Sequence, residues 1–146
     1  MIQGLHASLA VFRPFSEVMK VLGKRWSLGR AGPGGTRRVR LEGSPPRQFL
    51  LRVVDEPANR SRMHRWHIQL FDAKGAVTFD HPMADAEVIL EAQTTEGCML
   101  RLTGRHRPDA EGGQHGMNAY ARSLLDQVDG AVNAAARHRS PAPQAR

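Results

Sequence analysis

The chain has 146 residues, enough for one domain with a core of its own and too few for a second of ordinary size. An apolar content of 40% supports a folded domain; a single cysteine excludes a disulfide framework or a cysteine-based zinc ribbon, and no apolar run approaches a membrane span. The net charge is +7, from 21 basic and 14 acidic residues, but Lys20, Lys24 and Lys74 are the only lysines, the arginines are spread along the chain, and none falls between Gly75 and Leu100, which favours a solvated basic surface over a polyanion site.

The opening residues lack a basic leader and Arg13-Pro14 interrupts the apolar stretch behind them, so a cytoplasmic location is expected. Leu5 to Phe12 alternates, with Leu5, Ala7, Leu9 and Val11 on one face, and reads as a first strand that Pro14 stops. Ser16 caps a short helix, Glu17 to Leu22, with Val18, Met19 and Leu22 as its stripe and Gly23 as its stop. Gly29 to Gly35 is a connector; it lacks the Gly-Lys-Ser/Thr ending of a phosphate loop, and no helix signal follows it. Strands resume at Arg37 to Leu41, with Val39 and Leu41 on one face, and at Gln48 to Val54, with Phe49, Leu51 and Val53 on one face. Met63 to Phe71 places His64, Trp66, Ile68 and Leu70 opposite Arg65, His67 and Gln69, and Ala76 to Phe79 adds a brief strand. Asp85 to Ala92 and Cys98 to Gly104 follow, joined by the short hairpin loop Thr94 to Gly97. After the loop Asp109 to Gly116 the period changes: Met117, Tyr120, Ala121, Leu124, Val128, Ala131, Val132 and Ala135 recur at helical spacing to about His138. Residues 139–146 read as a disordered tail, leaving 1–138 as one domain. The order is that of an α+β fold, a curved antiparallel sheet wrapped around one long C-terminal helix.

Three stretches carry a family resemblance: Arg13 to Leu22, the hairpin Ala86 to Pro108 with its Gly104-Arg105-His106-Arg107-Pro108 ending, and the helix Met117 to Ala136. Together they resemble the SRPBCC superfamily, the helix-grip proteins that include START domains and bacterial polyketide cyclase/dehydrase-like proteins. Met19 and His106 depart from the pattern, each standing where an aromatic is common. The resemblance implies a helix-grip domain holding a hydrophobic ligand, such as a lipid, between sheet and helix, with no metal or other cofactor, and, where there is catalysis, a metal-free cyclase- or dehydrase-like reaction.

Residue chemistry narrows the site. The histidines include no His-Glu-x-x-His, and His64 and His67 point to opposite faces of their strand, so they cannot share a metal. Cys98, on an apolar face without a flanking His or Lys, reads as a buried inert thiol. His64 reads either as a structural histidine or as a group that orients a ligand. Trp66 is core or cavity wall, and in a helix-grip protein one side chain can be both. The ligand-binding residues expected are Phe49, His64, Trp66, Leu100, Tyr120 and Leu124, with no catalytic set assigned. The reading is a carrier or binding protein for an apolar or aromatic small molecule, acting as a monomer or homodimer. The rival class is a basic adaptor for RNA, the ribosome or an acidic protein, which requires its arginines to cluster on one face.

Overall fold

The computed structural model describes residues 3–25, 36–43, 45–55, 62–73, 81–107 and 113–139. Period-two patterning becomes strand in β1 (Gln3–Val11), β2 (Thr36–Leu41), β3 (Arg47–Asp55), β4 (Met63–Asp72), β5 (Ala84–Thr94) and β6 (Gly97–His106). The helices are α1 (Phe15–Arg25) and α2 (Gly113–Arg139). All strand pairs are antiparallel, in the order β1-β6-β5-β4-β3-β2, so the first two strands of the chain form the two edges. The sheet with one long C-terminal helix packed on it is the α+β architecture that the patterning requires. The brief strand expected over Ala76 to Phe79, the connector Gly29 to Gly35 and the tail from Ser140 lie outside the described residues.

Three helix boundaries differ from expectation. The Pro14 carbonyl accepts hydrogen bonds from the N–H groups of Glu17 and Val18 (3.0 and 3.2 Å), so α1 starts ahead of Ser16, which lies inside the first turn. Gly23 does not stop α1; a helical glycine costs about 1 kcal/mol, and burial of Val18 and Leu22 offsets it. Helix α2 begins four residues before Met117, because the apolar stripe marks where a helix is buried and not where its backbone starts. The β5–β6 hairpin falls where expected but its turn is tighter than the expected loop Thr94 to Gly97: Thr94 pairs with Gly97 around the two-residue turn Thr95-Glu96, and the Thr94 hydroxyl accepts the Glu96 N–H.

Helix α2 is gripped by both edges of the sheet. On the β1 side the His6 N–H donates to Asn118 Oδ1 (3.0 Å) and Arg122 Nη1 donates to the Ser8 carbonyl (3.2 Å). On the β2 side the Glu42 N–H donates to Ser123 Oγ (2.8 Å) and Gln127 Nε2 donates to the Arg40 carbonyl. Exposed edge strands offer unpaired backbone groups, and here side chains from one helix take up some of both rows. Contact on two flanks also explains why Leu125 and Ser123 are buried beside the expected stripe. At Gly104 a Cβ would stand 2.3 Å from the Asp85 carbonyl oxygen, so β6 can approach β5 this closely only without a side chain.

Candidate functional site

All six residues singled out from the sequence turn inward and are buried, from 0% exposed for Phe49, Leu100 and Leu124 to 5% for His64. They form two groups. At one end the His64 ring lies against Trp66, centroids 4.3 Å apart, and the cross-strand register runs His64, Leu90, Leu100 over β4, β5 and β6. At the other end Phe49 meets Tyr120 edge to face at 5.1 Å, with Leu124 one turn further along α2. Phe49 pairs with Asp72, six positions beyond Trp66 on β4, about 20 Å of extended strand.

The Phe49 end carries polar side chains that the sequence reading passed over. Arg47 precedes Phe49 on the inward alternation of β3 and is 7% exposed; its Nη2 donates to Asp72 Oδ2 at 2.7 Å. The Arg47 guanidinium stands 5.4 Å from the Phe49 ring centroid, a cation–π distance. Tyr120 donates its hydroxyl to the Pro45 carbonyl, and its ring fills the space left by Gly43, where a Cβ would come within 2.6 Å. His106 closes the inward series Cys98, Leu100, Leu102, Gly104 on β6 and is 2% exposed, with Nδ1 2.8 Å from the Arg107 carbonyl oxygen. A signal for both existed: the sequence reading started β3 at Gln48 and ended β6 at Gly104, whereas the inward alternation continues to Arg47 and His106. Polar residues at strand ends read as loop, which is why they were missed.

The outward face is chemically separate. His67 pairs there with Asp85, Gln69 donates to the same carboxylate (3.2 Å), and Arg52 donates twice to Gln69 while lying over Phe71. Phe71 is 1% exposed although it lies on the face expected to be polar. Three outward arginines of the sheet have partners in or beside it: Arg38 with Gln48, Arg40 with Glu42, Arg101 with Glu91. Cys98 is buried, its thiol directed at the Arg13 carbonyl (3.3 Å), and burial pushes its pKa up, as an inert thiol requires. Among the described residues no three His, Cys, Asp or Glu side chains gather as a metal would need, and no helix is long and apolar enough to cross a membrane.

No protein-family model matches the chain, and no curated protein matches it in sequence. Solved structures of similar shape include protein Ms6760 from Mycobacterium smegmatis, at TM-score 0.43 and 8% identity over 99% of this chain and 98% of that one. Another is the Mll3558 protein from Rhizobium loti, at TM-score 0.42 and 15% identity over 90% and 98%. A third is the Zhui aromatase/cyclase from a Streptomyces species, at TM-score 0.41 and 16% identity over 97% and 98%. These are distant likenesses of shape, and none of them assigns this chain a family or an activity.

Proposed function

We propose that the protein binds an apolar or aromatic small molecule between the inward face of the sheet and α2, as a binding or carrier protein. The observation that carries this reading is the set Arg47, Asp72 and His106, turned inward at one end of a mainly apolar interior whose other buried polar side chains are Thr36, His64 and Ser123. A core built only for stability gains little from such groups, because a buried polar side chain costs free energy unless it is fully matched. Ligand sites are typically apolar walls with a few placed polar groups, and Phe49, Tyr120 and Leu124 supply walls at that end. His64, Trp66 and Leu100 extend the apolar surface at the other. The arginine-adaptor reading has less support, since the outward arginines named above are engaged with carboxylates and amides of the same sheet.

The test uses N-phenyl-1-naphthylamine, a neutral dye that fluoresces in apolar surroundings, with Trp26→Phe so that Trp66 alone transfers energy to it. Saturable binding is expected, with an affinity that stays constant between about 50 and 500 mM salt, because an apolar site releases no counterions. Leu100→Phe narrows the site without adding a tryptophan and is expected to weaken binding about tenfold while the thermal midpoint stays within a few degrees. Absence of saturable binding, or a steep salt slope, overturns the proposal.

A further inference from the structure

We infer that His106 is a recognition residue whose Nε2 accepts a hydrogen bond from a hydroxyl of the bound molecule, so that the ligand is an apolar molecule bearing a hydroxyl and not a plain hydrocarbon. This rests on the binding reading above and adds the ligand's polar group to it. The Arg107 carbonyl can only accept, so Nδ1, 2.8 Å away, carries the proton and donates to it. The neutral ring then has its lone pair on Nε2. That atom is buried and has no hydrogen-bond partner among the described residues. A buried acceptor left unmatched is destabilising, and an apolar ring of similar size would fill the same place without the penalty.

The surroundings of His106 fit a ligand group. Its cross-strand neighbour on β5 is Ala84, and the next inward pair is Gly104 with Ala86, so nothing longer than a methyl group projects from these positions. Helix α2 runs alongside β1 in the same direction, Asn118 beside His6, Arg122 beside Ser8 and Asn133 beside Arg13. Since His106 pairs with Gln3, the first turns of α2 lie at the level of the imidazole, between sheet and helix where the ligand is placed. The donor that matches Nε2 in such surroundings is a hydroxyl, because a charged donor would have to be desolvated beside Leu5 and Met117, both buried.

The experiment compares 2-naphthol with naphthalene, which lacks the hydroxyl, and 2-methoxynaphthalene, which carries it blocked. The wild-type protein is expected to bind 2-naphthol about tenfold more tightly than either, and His106→Phe to bind all three alike. Should that variant fail to fold, nitrogen-15 spectra of the wild-type imidazole decide: the Nε2 resonance of His106 shifts with 2-naphthol and stays in place with naphthalene. Equal affinities in the wild type, a preference kept by His106→Phe, or an unmoved Nε2 resonance overturns the assignment while leaving the binding reading intact, since naphthalene still binds. If none of the three compounds binds, the assignment and the binding reading fall together.

Discussion

Along β4 the inward face changes character. Around Trp66 the register places Val88, Leu102 and Ala7 in one cross-strand row and His64, Leu90, Leu100 and Leu9 in the next, nearly all aliphatic. Around Leu70 the row runs through Ala84 and His106 to Gln3, and the next holds Asp72, joined to Arg47. Both ends are largely buried, although the Asp72 carboxylate keeps 31% of its side-chain surface exposed; what differs most is whether burial is met by contacts between apolar atoms or demands exact matching of polar ones. The first end is built to hold the fold together. We propose that the second carries groups that serve a bound ligand more than stability, and substitutions at the two ends test that division.

The largest effect is expected in the helix that both ends share. Leu124 is fully buried, and Leu124→Asp places an unpaired carboxylate against the sheet, at a cost of several kcal/mol against a total of about 5–15. Urea denaturation should show loss of the cooperative transition or a midpoint far below wild type. A midpoint near wild type would mean that α2 does not hold the two edges.

Next comes the contrast between the ends. Leu90→Ala should cost about 2–5 kcal/mol, since it removes buried methyl groups from a close-packed row. The double substitution Arg47→Met with Asp72→Leu should cost less than about 1 kcal/mol, because the desolvation of the buried Arg47 offsets much of its attraction to the half-buried Asp72. Asp72→Ala alone should be worse than the double variant, because it leaves the Arg47 guanidinium buried without its carboxylate. If the double variant loses as much stability as Leu90→Ala, the polar end is a structural element and the comparison fails.

The smallest effect belongs to the helix surface. Arg122 is exposed and makes an i,i+4 pair with Asp126 at 3.2 Å and a hydrogen bond to the Ser8 carbonyl. Arg122→Ala should change the stability measured in urea by about 0.5 kcal/mol or less, the usual worth of an exposed pair. A loss above about 1.5 kcal/mol would show that the contact with β1 matters more than an exposed hydrogen bond does.

Much of the architecture was legible in the sequence because it depends on period. Side chains alternate along a strand whatever surrounds it, so Trp66, Ile68 and Leu70 had to share a face, and Met117, Tyr120, Leu124 and Val128 had to share a stripe. The element order and the place of the hairpin between β5 and β6 followed from the same local rules. Tertiary structure alone decided that β1 and β2 are the two edges and that Asn118, Arg122, Ser123 and Gln127 reach them, because pairing order is set by contacts far apart in the chain. It also decided that Phe49, on β3, lies opposite Asp72, six positions along β4 from Trp66, since register follows from how strands pair and not from what each contains. Arg47 and His106 lie on the same alternation as their apolar neighbours, yet their polarity in isolation points to solvent. Only the helix and sheet closing over them put these side chains inside.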